Sequence, residues 1–222
     1  LFVVVLAKAL AIALLKDFRG KWLVRFLILL PWTAPIALGT LGWLWMLDSI
    51  FSPIDWTLRH LGLLGTSDAV LGPLSNLYWL GVPGLAMSSV ILVHIWRMLP
   101  LATVILLAGL SSLPQDILDA AEVDGAGFWR RLFEITIPLL LPIMSIAVLF
   151  GVIFTFTDMT VVYVLTRGGP IHSTQVLASW AFFKGIEAGD LAQGAAIALF
   201  LFPVLAGVAI VVLKLARRTE TV

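Results

Sequence analysis

His94, Arg97 and Asp158 lie within long apolar runs, where an ionisable side chain is costly enough to make each a candidate for function. On insertion scales an Arg near a helix centre costs about 2.5–3.5 kcal/mol, so Arg97 must face a partner or a wet cavity. Phe154, Thr155 and Asp158 are spaced to share one face of a helix. An aromatic ring beside a hydroxyl and a carboxylate is the combination that holds a polar ring-shaped solute: the ring covers its apolar face and the oxygens take its hydroxyls. Plainer readings stand beside these. His94 can make an interhelical hydrogen bond or sit as a satisfied core histidine. Arg97 can snorkel or pair with Asp158, and Phe154 and Thr155 can be ordinary packing. His60, His94 and His172 have no ligand spacing, so no metal site is expected. Zero Cys removes disulfides, thiolate metal sites and a Cys nucleophile. There is no Gly-x-x-x-x-Gly-Lys-Ser/Thr, and Gly168-Gly169 lacks a following Lys, so the chain carries no nucleotide-hydrolysing loop.

The elements that position these residues follow from composition. The chain is 61% hydrophobic and 12% charged, with a mean hydropathy of +1.08. A core built from 222 residues cannot hide that much apolar surface, so lipid must cover it. A net charge of +1 leaves no basic patch able to neutralise several phosphates of a nucleic acid. A membrane helix needs about 20 mainly apolar residues. Residues 1–15, 22–47, 84–110, 135–165 and 190–215 qualify, the first as a shortened span. The expected fold is an all-α integral membrane protein, a multi-span helical bundle forming one domain over 1–222. The sequence begins at Leu1, without Met, inside an apolar run. It therefore reads as trimmed, with N-terminal span(s) missing, and not as a signal peptide. Lys16, Arg19, Lys21 and Arg25 follow the first span, Arg130 and Arg131 the third, and Lys214, Arg217 and Arg218 the fifth. Alternating loops place all of these on one side, which the positive-inside rule makes cytoplasmic, with residue 1 near the outside. The segment 48–83 is then an extracytoplasmic loop. Trp43, Trp45, Trp56, Tyr78 and Trp79 flank it as an interfacial belt or as partner contacts.

Between the third and fourth spans lies a polar island, 111–138. It opens with a capping-box pattern, Ser112 to Gln115, with Pro114 in the first turn, and Gly125 sits where a helix C-cap would fall. Asp116, Asp119, Glu122 and Asp124 share this helix with an apolar stripe of Leu113, Ile117, Leu118 and Ala121. A helix this short is unstable alone in water and needs a surface to dock on, which points to a partner protein.

The island reads Asp119-Ala120-Ala121, Gly125, Ile135 and Ile137-Pro138, with Asp124-Gly125-Ala126 across its centre. It resembles the Glu-Ala-Ala loop of permease subunits in binding-protein-dependent ABC importers, with Asp119 in place of Glu and Ile137 in place of Leu. Thr166-Arg167-Gly168-Gly169-Pro170 and Ser173-Thr174 resemble the outer loop of the carbohydrate branch, particularly the maltose-type F component. The resemblance implies the type I importer permease fold in the bacterial cytoplasmic membrane, multi-pass, with a cytoplasmic C-terminus. It implies that the island is a coupling helix seated in a separate ATPase, that Ala120 and Ala121 allow close approach, and that Asp116, Asp119 and Glu122 pair with basic groups there. The implied partners are a second permease, two ATPase subunits and an extracytoplasmic solute-binding protein. No cofactor is expected on this chain, and ATP and Mg belong to the ATPase. His94, Phe154, Thr155 and Asp158 match positions similar to sugar contacts in the family, and Arg97 joins them as a candidate path residue. A stand-alone secondary transporter or channel would show inverted halves and a midplane coupling acid. No internal symmetry is evident, and Asp158 is the sole acid deep in a span. An integral-membrane enzyme would need clustered carboxylates or His at one interface, and the acids here sit on a single docking helix.

Overall fold

The computed structural model describes residues 2–220, with side chains through Lys214. Leu1 and the side chains of Arg217 and Arg218, which enter the charge argument above, lie outside the described residues. Every regular element among the described residues is helical. In chain order they are α1 (Phe2–Leu15), α2 (Lys21–Thr33), α3 (Ile36–Met46), α4 (Pro53–His60), α5 (Pro83–Ser111), α6 (Gln115–Val123), α7 (Phe128–Arg130), α8 (Ile137–Thr157), α9 (Thr160–Leu165), α10 (Leu177–Phe182), α11 (Leu191–Leu199) and α12 (Leu201–Glu220). Two π-turns, Arg131–Thr136 and Phe183–Glu187, follow α7 and α10 without a break.

Three stretches are long and apolar enough to cross a bilayer: Pro83–Ser111, Phe128–Thr157 and Leu191–Lys214. Of the other two expected spans, the first is short, as expected, and the second is broken. α1 has 14 residues, short of the roughly 20 a crossing needs. The run 22–47 is broken at Ala34-Pro35 into α2 and α3, which is one broken span or a re-entrant loop. Proline explains the break. Pro35 disfavours helical geometry at Ala34, and Pro31 has no N–H to give its own helix. Expected span 135–165 is interrupted too, because α8 ends at Thr157 and α9 starts at Thr160.

The chain divides into two compact units, Leu1–Thr33, Met98–Thr155 and Leu201–Val222 in one, Ala34–Arg97 and Phe156–Phe200 in the other. In the first, Ala7 and Ala11 of α1 meet Ala102, Leu106 and Leu110 of α5 and Leu140 and Ala147 of α8. Small residues one turn apart on α1 let backbones close up where lipid offers no hydrophobic drive. Gly109 continues that seam: a Cβ there would lie 2.9 Å from Ile143 and 3.1 Å from Leu140.

In the second unit, Leu47, Val90, Val93, Val161, Val162 and Leu165 form the core, with Trp43 and Trp79 packed against it. These two rings are therefore interior, whereas Trp45, Trp56 and Tyr78 remain exposed as an interfacial belt would be. Gly194 of α11 approaches Gly185 so closely that a Cβ on Gly194 would sit 2.4 Å from the Gly185 Cα.

The segment 48–83 is folded around a carboxylate. Ser52 caps α4 by accepting the Asp55 N–H at 3.2 Å. Asp55 is fully buried and accepts the Leu77 N–H at 3.0 Å and the Trp79 indole N–H at 2.9 Å. Arg59 donates to the Ser75 carbonyl and to Asn76. Asp48, at the start of the segment, accepts the Phe51 and Ile50 N–H groups at 2.8 Å each. Those donors hold its carboxyl below the usual carboxylate range.

Candidate functional site

Two groups of residues carry the functional reading. The first is the island. α6 spans Gln115–Val123 with Pro114 at its N-cap and no side-chain cap bond, so the expected capping box does not form. Ser112 is drawn backward instead, donating to the Gly109 carbonyl at 2.8 Å, and Gln115 reaches forward to Asp119 at 3.0 Å. The C-terminal expectation matches the geometry. Gly125 has φ +76, its N–H bonds Glu122 O at 3.0 Å, and the Ala126 N–H bonds Ala121 O at 2.9 Å. These two bonds are a Schellman motif, with Asp124 as cap. No atom lies within 4 Å of a Cβ at Gly125, so its need for glycine is conformational and not steric.

The helix has two unlike faces. Ala121 is buried at 7% exposure, while Asp116, Asp119, Ala120 and Val123 are exposed. Only Ala120 of the small pair is open to a partner, which corrects the expectation for Ala121. Glu122 is already engaged: Arg131 donates to it at 2.6 Å. That pair ties α6 to the π-turn Arg131–Thr136, whose wider turn leads into Pro138. The Ile137 N–H bonds Leu132 O, five residues back, so the helix enters Pro138 through a widened turn. Ile135 is half-buried and Pro138 exposed. Phe128, Trp129 and Phe133 form an exposed aromatic run, Trp129 and Phe133 stacked at 6.0 Å. Neither the Glu122–Arg131 pair, nine residues apart, nor the π-turn has a helical or strand period by which sequence reading finds it.

The second group is the polar set of the apolar runs. Arg97 donates to Asp158, and both side chains are largely buried. Asp158 also accepts the Thr160 N–H at 2.8 Å, capping the restart of the chain into α9. The plainer reading of Arg97, pairing with Asp158, is thus the one the geometry adopts. His94 is half-buried and close enough to interact electrostatically with Asp158 and Arg97. Phe154 and Thr155 stand on α8, which ends before Asp158, so the expected common helical face does not extend to the carboxylate. Thr155 donates to Gly151 O at 2.6 Å, and Phe154 sits edge-on to Trp32 at 5.6 Å and stacks on Phe150 at 6.3 Å.

The patch from Thr166 to Thr174 is a clasp. Thr174 is fully buried, with its hydroxyl 2.7 Å from that of Thr166 and donating to Gly169 O at 2.7 Å. Arg167 pairs with Glu187 at 2.6 Å and covers the Tyr163 ring at 5.2 Å. Among the described residues no group of three His, Asp or Glu is placed to hold a metal.

A chain with several long apolar helices and a Schellman-capped amphipathic helix between two of them is built as a multi-pass membrane protein. Residues 4–221 match the family described as "Binding-protein-dependent transport system inner membrane component". A "Probable ABC transporter permease protein" of Brucella suis biovar 1 is 32% identical over 97% of this chain and 72% of the relative. The trehalose/maltose transport system permease protein of Thermococcus litoralis is 32% identical over 96% of this chain and 68% of the relative. Among solved structures, a bacterial alginate ABC transporter in complex with an alginate pentasaccharide-bound periplasmic protein has a chain of the same fold. It matches at TM-score 0.81 and 18% identity, covering 98% of this chain and 73% of that one. The chain belongs to the inner-membrane permease family of binding-protein-dependent ABC importers. It is a transport component and not itself an ATPase.

Proposed function

We propose that this permease imports a sugar or sugar-like solute, driven by a separate ATPase that seats against α6. The observation that carries the reading is the two-faced α6. Its inner face is anchored by Ala121 and by the Arg131–Glu122 pair, and its outer face presents Asp116, Asp119, Ala120 and Val123. A helix held rigidly behind and left open in front suits a partner that pushes. ATP and Mg then act on the ATPase pair, and closure of that pair moves α6 and, through the helix start at Arg131–Pro138, the span beyond it. A second permease completes the pathway, and a solute-binding protein delivers cargo outside.

The inward orientation of α6 and of the C-terminus is supported by the cations Lys16, Arg19, Lys21, Arg25, Arg130, Arg131 and Lys214. A carbohydrate cargo is supported by the trehalose/maltose relative and by the resemblance of Thr166-Arg167-Gly168-Gly169-Pro170 to the outer loop of the carbohydrate branch. His94 and the Arg97–Asp158 pair in one unit, and Phe154 and Thr155 in the other, are the proposed path residues. Gly125→Asp tests the coupling role. The variant inserts normally but loses ATPase co-purification and solute uptake, and uptake at the parental rate overturns the reading.

A further inference from the structure

The first unit contains a cavity of about 230 Å3 directly behind α6. Its wall is mainly aliphatic and aromatic, with Ile12 and Leu15 from α1, Leu110 and Leu113 around the end of α5, Leu118 from α6, and Phe128, and it carries the polar side chains of Gln115 and Thr136. Arg131 closes one side. An apolar hole of about 150 Å3 already stays dry and takes up a benzene-sized ligand, so this larger one suits an aliphatic chain better than water.

The rim has the opposite character. Lys21 Nζ lies 3.4 Å from the carbonyl oxygen of Leu15, a wall residue, and 3.0 Å from Asp17. Lys16 follows Leu15 directly, Arg19 lies three further on, and Arg131 is itself part of the wall. Glu122 and Asp17, the acids bonded to these cations, are at the solvent side, 73% and 100% exposed. Lys21 and Arg131 therefore stand at the mouth of the cavity, each bonded to a solvent-exposed carboxylate, and Lys16 and Arg19 lie within four residues of the wall residue Leu15. Basic pockets at the cytoplasmic ends of membrane helices bind anionic lipid headgroups.

We infer that this cavity holds an acyl chain of an anionic phospholipid of the inner leaflet, its phosphate among Lys16, Arg19, Lys21 and Arg131. The inference rests on the inward orientation of α6 proposed above. The lipid braces α6 from behind through Leu118, so headgroup charge enters the coupling pathway.

The test uses the whole transporter complex in nanodiscs with phosphatidylglycerol or phosphatidylcholine carrying a photoactivatable group at the chain end. Peptides bearing Leu113 and Leu118 are expected to label with the anionic probe in preference to the neutral one, by about fivefold per contributing cation. Leu118→Trp fills the hole and removes the label, and Leu113→Phe, a smaller change, reduces it. Lys16→Gln with Arg19→Gln retains labelling but cuts the preference between probes by about 25-fold. Equal labelling by both probes, no labelling, or labelling undiminished in both filled variants overturns the inference. Asp116→Cys, in a chain that has no other thiol, is probed separately with an impermeant thiol reagent in sealed and opened vesicles. Thiol labelling from outside overturns the orientation. A thiol reached only from inside, without lipid labelling, overturns the lipid site alone.

Discussion

At the scale of single residues, neighbouring positions on one short helix have opposite duties. Ala120 is open and Ala121 is packed inward. Ala120→Cys is expected to cross-link to the ATPase subunit in the assembled transporter, whereas Ala121→Cys cross-links poorly and lowers stability. Equal cross-linking at both positions would mean that α6 docks on a different face. Arg97 and Asp158 make the second residue-scale prediction. Removing one member strands a buried charge, so Asp158→Ala costs about 3–5 kcal/mol and cuts folded yield. The double variant Arg97→Met with Asp158→Leu recovers much of the yield, read by size-exclusion profile in detergent. If it recovers uptake as well, the pair is structural and lies off the solute path. Gly125 was legible in the sequence, because a glycine after an amphipathic run has one economical explanation. Ser112 bonds backward to Gly109, since a hydroxyl beside a helix end reaches the preceding helix as easily as the following one. The face shared by Phe154 and Asp158 was misplaced because periodicity carries no sign of where a helix stops. No Pro or Gly marks the Thr157–Met159 break, where Asp158 accepts the first N–H of the new helix.

At the scale of elements, two glycine seams hold helices together by different means. At Gly109 the obstruction is a side chain, so Gly109→Ala lowers the thermal midpoint in detergent and Ile143→Ala restores part of it. At Gly194 the obstruction is the backbone of Gly185, and no trimming of a neighbour makes room. Gly194→Ala should therefore lower the midpoint more than Gly109→Ala, and should resist every second-site reduction around it. A smaller effect at 194 would mean that α11 shifts freely. Long apolar elements are readable from hydropathy alone, as α5 shows. The division of 22–47 into α2 and α3 is not, because membrane helices tolerate proline: α2 runs through Pro31, whereas the chain breaks at Pro35.

For the molecule as a whole, the proposed orientation rests on a few basic side chains beside many apolar ones. Replacing Lys16, Arg19, Lys21 and Arg25 with Gln should leave a mixed population, measured by reagent access to the thiol of Asp116→Cys in sealed vesicles. A thiol that stays fully protected there would show that the later cations suffice. Composition announced a lipid-embedded chain at once, but could not reveal that it builds two cores. One gathers Ala and Leu from α1, α5 and α8; the other gathers Val and Leu, largely from α5 and α9. Both draw on the same helix, α5, and a hydropathy plot averages that distinction away.

The Gly185–Gly194 contact has a further meaning for sequence drift. Two backbones in near touch leave no atom to delete, so a side chain gained at either position finds no compensating loss nearby. The junction behaves as a ratchet: it is easily abandoned by one change and regained only by reverting that same change.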